Sequence, residues 1–331
     1  MFTIYTIERL CYNVNNFSGA AKRSISSGGE TMFAASKRVT LMLSALVVLS
    51  VGLAACAPTA ANDLLGEIKQ RGTLRISTDL NYAPQSSAVQ GAARAANTKC
   101  AEDELTANQV EGFDIDTAVE IAKRLGVEPC FVTPAWDLIT AGSWGGRWDV
   151  SVGSMTITKD RQKALWFSPG YYFTPAQLAV KAGSSIKSPA DIAGKPVCVG
   201  TATTYETYLT GGDVGIPDSD IKVKAPSGVQ VVALSTDAEC AQAIKAGRTD
   251  FEAFLTSGTV VDAAIAEGIP VEKVDGPLYI ENLAVALDKS SAKDPKSLLD
   301  EITKIINDMH NDGTLSKSSL KWFGADLTVV Q

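Results

Sequence analysis

The sequence predicts an α/β protein built as two lobes, and three observations carry that prediction. Apolar, strand-like runs alternate with segments of helical period, the pattern of βα units around a largely parallel sheet. The alternation comes as one series, a crossover through Thr174-Pro175, a second series from Lys195 and a single returning strand, which implies lobes joined by two strands. The chain has 331 residues, which fits roughly two domains of ~150 residues each.

Taken in order, residues 63–70 read as a short helix and 74–77 as the first strand. Residues 116–125 are predicted helical because Ala118, Ile121, Ala122 and Leu125 share one face and Gly126 stands just beyond the end. The next strand is 127–133, where Pro129 predicts that the ladder starts only at Cys130. A helix over 137–144 closes at Gly145-Gly146, a strand follows over 148–152, and 173–181 crosses over. In the second series the strands are 196–200, 230–233 and 249–255, with helices beginning at Thr203 and spanning 237–246. Residues 283–287 form the returning strand, and helices over 295–310 and 315–322 close the chain.

The start of the chain reads as an export signal. Lys37 and Arg38 precede an apolar run, residues 39–51, and Leu53-Ala54-Ala55-Cys56 supplies a small-residue cleavage site. The run is shorter than the ~20 residues of a membrane span. Because a cysteine follows the small residues, the segment resembles a bacterial lipobox, with Cys56 as the lipidated first residue and residues 1–55 as leader and signal. Met32 would restart a signal of ordinary length.

The segment before Cys56 carries five basic and two acidic residues, so the remainder stands at −10 where the whole chain is at −7. An acidic exported protein is a poor nucleic-acid binder. Four cysteines remain after Cys11 and Cys56: Cys100, Cys130, Cys198 and Cys240, an even number suited to an oxidising compartment. Three pairings are open, and Cys100 with Cys130 plus Cys198 with Cys240 keeps each pair inside one proposed lobe. No cysteine pair has zinc-ligand spacing, and no metal site is expected.

The stretch Gly153-Ser154-Met155-Thr156-Ile157-Thr158-Lys159-Asp160-Arg161 places hydroxyls and a guanidinium where a strand turns into a helix. Thr158 is a candidate cap and Arg161 falls in the first turn. Free N–H groups at the helix start and a bidentate arginine favour an anion there. The alternative is a surface arginine after an ordinary Ser/Thr-rich turn.

Gly112-Phe113-Asp114-Ile115-Asp116 with Ile121-Ala122 resembles the signature of the family 3 extracellular solute-binding proteins, the polar amino-acid receptors of ABC importers. The likeness runs on through Asp79-Leu80-Asn81-Tyr82-Ala83-Pro84, residues 154–161, Phe167-Ser168-Pro169-Gly170-Tyr171-Tyr172, Thr203-Thr204-Tyr205-Glu206-Thr207, Ala246-Gly247-Arg248-Thr249-Asp250 and Asp312-Gly313-Thr314. Thr117 departs from the aliphatic residue usual there.

The resemblance implies a type II periplasmic-binding-protein fold: lobe 1 from residues 72–175 and 282–331, lobe 2 from 176–281, and a linker with a short helix over 56–71. It implies that Arg161 clamps a ligand carboxylate, with Thr156 and the backbone or hydroxyl of Ser154 completing the donors. Tyr82 and Trp136 match positions that face the ligand body, and Asp79 an acidic position that serves cationic groups in some members. Lobe 2 would add Thr203, Thr204 and Tyr205, although Thr203 with Glu206 also forms a capping box. Tyr205 could be a second aromatic wall or a surface residue, and Ala202 replaces a common glycine.

One departure is sharp. Relatives that bind α-amino acids usually carry an Asp shortly after the Thr249-Asp250 position, facing the ammonium. This chain reads Phe251-Glu252-Ala253-Phe254-Leu255-Thr256-Ser257-Gly258 instead. A buried ammonium without a counter-charge is costly, so either Asp79 or Glu252 serves it or the ligand is not a plain α-amino acid.

Trp144, Trp148, Trp166 and Trp322 are expected in the core, and His310 on the surface. The long segment 84–110, tied by Cys100, either overhangs the cleft or forms a surface insertion. The resemblance implies no cofactor and a monomer partnered by an importer permease and, through its lipid, by the membrane. A ligand-sensing lipoprotein and a dehydratase-like enzyme on the same fold are the alternative functions. Against the enzyme, the only histidine lies far along the chain from these motifs.

Overall fold

The computed structural model describes residues 63–329, so the proposed leader and the lipidation site Cys56 lie outside the described residues. Helix α1 (Leu64–Arg71) is capped by the Asp63 carboxylate, which accepts from the Gly66 amide at 3.1 Å, and Gly72 ends it at φ +77°. Strand β1 (Thr73–Ser77) follows. Three short strands, β2 (Asn81–Tyr82), β3 (Ser86–Ala88) and β5 (Val110–Glu111), form a small separate sheet, while β4 (Leu105–Thr106) joins the main one.

Helix α2 (Phe113–Leu125) begins three residues before the expected Asp116. Gly112 makes the entry possible: it sits at φ +132°, and a β-carbon there would lie 2.1 Å from the Gln85 carbonyl oxygen. Phe113 and Ile115 thereby extend the buried face, and Asp116 stands in the first turn, where the helix dipole favours its charge. In β6 (Glu128–Val132), Pro129 is already in the ladder opposite Leu74, contrary to expectation. On its other side β6 meets β4 only at Cys130 and Phe131, so Pro129 lies where one flank is open and a missing N–H is tolerated.

The helix expected to reach Trp144 is the shorter α3 (Trp136–Thr140). Gly142 and Ser143 turn left-handed after it, and the Trp144 amide is bonded to Asp288 instead of to a helical carbonyl. Strand β7 (Val150–Thr156) leads to a single turn, α4 (Arg161–Ala164), and to β8 (Leu165–Lys181). The second series is β9 (Pro196–Gly200), α5 (Thr204–Leu209), β10 (Gln230–Leu234), α6 (Asp237–Lys245), β11 (Ala253–Ser257), α7 (Gly258–Ala266), β12 (Val271–Lys273) and β13 (Tyr279–Asp288). Helices α8 (Lys296–Asn311) and α9 (Thr314–Phe323) close it. Strand β11 starts later than the expected residue 249, because Arg248 and Asp250 pair with each other on the surface at 2.7 Å.

The main sheet runs β10-β9-β11-β8-β13-β7-β1-β6-β4, with β12 alongside β8. One end is parallel through β10, β9 and β11, the other through β7, β1 and β6, and the antiparallel pair β8/β13 passes through the middle of both. This pair is the two-strand connection of a type II periplasmic-binding-protein fold. Each end has its own core: Ile76, Phe113, Ile121, Val152 and Ile302 in one, Leu178, Val199, Tyr208, Leu255 and Tyr279 in the other. Disulfides join Cys100 to Cys130 and Cys198 to Cys240, one in each half.

Trp144 and Trp148 are buried against each other, 5.4 Å between ring centroids, and Trp322 is half-buried with its indole N–H donated to Asp116. Trp166 departs from expectation at 47 % exposed. Alternation along β8 buries Leu165 and turns Trp166 outward, where the Lys289 ammonium lies over its ring. His310 is half-buried, not a surface residue, and its Nε2 meets the Gly170 carbonyl at 2.9 Å.

Candidate ligand-binding site

All nine residues expected at the site line one cleft between the two halves. Its floor is the corner from β7 to α4. Ser154 holds a left-handed backbone, φ +55°, unusual for a residue with a side chain. A buried network fixes it: the Ser154 amide donates to the Tyr171 hydroxyl at 3.0 Å, and the Ser154 and Tyr171 hydroxyls each donate to Asp114 at 2.7 Å. Burial pushes the Asp114 carboxyl up to about 7 against the pull of those two bonds. The hydroxyl and amide of Ser154 are thus both engaged within the protein.

Thr158 accepts from the Arg161 amide at 3.1 Å, the capping expected of it. The guanidinium of Arg161 donates to the carbonyls of Thr156 and Ala202, each at 3.2 Å, and lies 5.5 Å from the Trp136 ring centroid. Among the described residues no carboxylate lies within ion-pair distance of it, and these two carbonyl bonds leave N–H donors in hand. Burial lowers its pKa, opposed by the charge of Glu281.

Glu281, on β13, went unnoticed in the sequence because the returning strand was expected to begin at Leu283. Its carboxylate is buried and accepts three hydroxyls: Thr156 at 2.7 Å, Thr204 at 2.6 Å and Tyr205 at 2.6 Å. Since Tyr205 spends its proton on Glu281, Tyr82 donates in the 3.1 Å contact between the two phenols. Tyr205 is therefore a buried wall of the cleft, and burial holds the phenols of both tyrosines well above their usual pKa.

Thr203 lines the cleft and also caps α5, accepting from the Glu206 amide at 3.2 Å. The reciprocal half of the box is displaced by one residue: Glu206 accepts from the Ala202 amide at 2.7 Å. Ala202 takes φ +61°, the left-handed backbone for which the family resemblance implies a glycine there.

Two further carboxyl groups face the cleft. Asp79 is half-buried, accepts from the Asn81 amide at 2.9 Å, and is raised by burial. Asp237, the first residue of α6, is 5 % exposed and was missed entirely. It accepts from the Gly200 amide at 2.7 Å and from the Thr256 hydroxyl at 3.1 Å. Burial pushes it up to about 7, opposed by those two bonds and reinforced by the charges of Glu281 and Asp79. The Ser235-Thr236-Asp237 turn, at the carboxyl end of β10, was the available signal. Thr256, Ser257 and Glu252 do not line the cleft, and neither does any residue of 84–110. Most of that segment is tied down on lobe 1, with Arg94 donating to the carbonyls of Cys100 and Ala101 and the Lys99 amide bonded to Glu128, while Gln85 at its start donates across to the Ser257 and Thr259 hydroxyls.

A cleft between two lobes that share two strands, walled by aromatics and offering a buried guanidinium on one side and carboxyl groups on the other, defines a solute-binding protein. The chain belongs to the bacterial extracellular solute-binding proteins, family 3, which matches residues 100–325. It is 31 % identical over 274 residues to the L-cystine-binding protein TcyJ of Escherichia coli (strain K12), covering 81 % of this chain and 89 % of that one. Among solved structures it resembles an ancestral arginine-binding protein bound to arginine, at 31 % identity and TM-score 0.60, over 76 % of this chain and 99 % of that one. It also resembles the ancestral amino acid-binding protein AncCDT-1, a precursor of cyclohexadienyl dehydratase, at 30 % identity and TM-score 0.61, over 78 % and 99 %.

Proposed function

We propose that this chain is the extracytoplasmic substrate-binding lipoprotein of an ABC importer for a polar amino acid or a derivative, captured by closure of lobe 1 (72–175 and 282–331) on lobe 2 (176–281). One observation carries the reading: four separate segments bring Asp79, Tyr82, Trp136, Ser154, Thr156, Arg161, Thr203, Thr204 and Tyr205 to one cleft. Arg161 takes the ligand carboxylate, where its free N–H donors give charge-assisted bonds. Trp136 and Tyr82 pack against the ligand body, and Thr204 and Tyr205 reach it from lobe 2. A ligand held by both lobes favours the closed form over the open one by its differential contacts, and the importer permease reads the closed form. Cys56 carries the lipid that holds this monomer at the membrane, and the site binds without catalysing.

The relatives suggest L-cystine and L-arginine as first ligands in a thermal-shift panel of amino acids. A ligand at 100 times its Kd adds about 2.7 kcal/mol to stability, an evident rise in Tm. Arg161→Ala is expected to abolish that rise. A rise that survives the substitution would remove Arg161 from the carboxylate site.

A further inference from the structure

Closure buries the ligand's cationic nitrogen, and the position after Thr249-Asp250 where relatives keep an acid holds Thr256 and Ser257. The structure shows what those two residues do instead. Ser257 accepts from Gln85 at 3.2 Å and meets the Thr259 hydroxyl at 2.5 Å, behind the Tyr82 phenol and outside the residues that line the cleft. The Thr256 hydroxyl is turned toward Asp237, which stands between it and the cleft space. The acid that lobe 2 presents to the cleft stands instead at the start of α6, beside the same strand end.

The other carboxyl groups fit the task less well. Both oxygens of Glu281 are already taken by three hydroxyls. Asp79 is half-buried, also borders the open groove outside Trp136, and belongs to the lobe that supplies Arg161. Asp237 is nearly sealed, belongs to the opposite lobe, and one of its oxygens receives only the 3.1 Å bond from Thr256.

Resting on the amino-acid reading above, we infer that Asp237 is the lobe 2 receptor for the ligand's α-ammonium and gives up a proton to solvent when that ammonium arrives. The step balances: a neutral carboxyl and an ammonium become a carboxylate–ammonium pair plus one released proton. The neutral starting form follows from what surrounds it. Asp237 faces Glu281 from β13 and Asp79 from the loop after β1, with the phenols of Tyr82 and Tyr205 beside them, and Arg161 the one cation among the residues lining the cleft. Burial first, and the like charges after it, keep such a carboxyl protonated, in agreement with its value of about 7.

Calorimetric titration of the wild-type protein with L-cystine, L-arginine and L-histidine, and with their desamino analogues dithiodipropionic, guanidinovaleric and imidazolepropionic acid, tests the assignment. Asp237→Asn keeps an acceptor for the Gly200 amide while removing the charge. The expected result is roughly tenfold to hundredfold weaker binding of the amino acid, with the analogue changed less than about threefold. Near pH 6, wild type should release close to one proton per ligand, read from buffers of different ionisation heat, and Asp237→Asn none. Wild-type affinity should rise with pH by up to about tenfold per unit toward neutrality and then level off. Unchanged affinity in Asp237→Asn, equal losses for amino acid and analogue, or no proton release by wild type would each overturn the assignment while leaving the amino-acid reading intact. Failure of wild type to bind any of the amino acids would overturn both.

Discussion

Substituting Asp114 by Asn should change how stability depends on pH, in a direction fixed by its surroundings. The carboxyl is wholly buried under the Ser154 corner and titrates at about 7, against an ordinary value of 3.8. Between those values the folded chain holds a proton that the unfolded chain has released. The free energy of unfolding therefore falls as pH rises through the window, and the slope vanishes below and above it. At about 1.4 kcal/mol per pH unit, the window costs wild type about 4 kcal/mol, a large share of the ~5–15 kcal/mol typical of a domain. Asn cannot ionise yet still accepts a hydroxyl, so Asp114→Asn lacks this loss, while Asp237 contributes equally to both proteins. Urea unfolding at several values between about pH 4 and pH 8, extrapolated to water, measures the difference. Wild type should lose ground to the variant steadily up to neutrality and then run parallel. A constant difference over the whole range would mean that Asp114 is ionised in the folded protein and that a carboxylate holds Ser154.

Two other outcomes follow from the backbone and the cross-links. Gly112→Ala should lower stability by roughly 3 kcal/mol or more, because a β-carbon would meet the Gln85 carbonyl at 2.1 Å and φ is +132°; Gly126→Ala, with φ +71° and nothing within 4 Å, should cost only ~1–2 kcal/mol. Thermal denaturation of the pair checks the contrast. Replacing Cys198 and Cys240 together by Ser, a cross-link spanning 42 residues, should cost about 4 kcal/mol in urea unfolding; a loss near zero would show that the unfolded chain is already restrained there.

Helical period and glycine punctuation made most elements legible, because α6, α8 and α9 bury one face and stop at turn residues. The corner at Arg161 was legible for a different reason: hydroxyls, a cap and a cation crowd into nine residues. Contacts distant in sequence left no local mark. Glu281 gains its role from hydroxyls that arrive from β7 and α5, and Asp237 from a glycine amide of β9. Pro129 misled because the rule it broke depends on which neighbours a strand has, and Trp166 because strand phase, not hydrophobicity, decided its exposure.

Strand β13 enters the sheet between β8 and β7, although nearly a hundred residues separate it from β8 and more than a hundred from β7. Lobe 1 thus receives an inner strand, with Leu283, Val285 and Leu287, and its covering helix α8 only from the last part of the chain to emerge. Lobe 2 has its three parallel strands and its disulfide inside a continuous segment. Closing a loop of that length delays non-local pairing more than it weakens it. After export the second lobe should therefore reach native structure first, and the half that holds Arg161 should be the last to become competent for ligand.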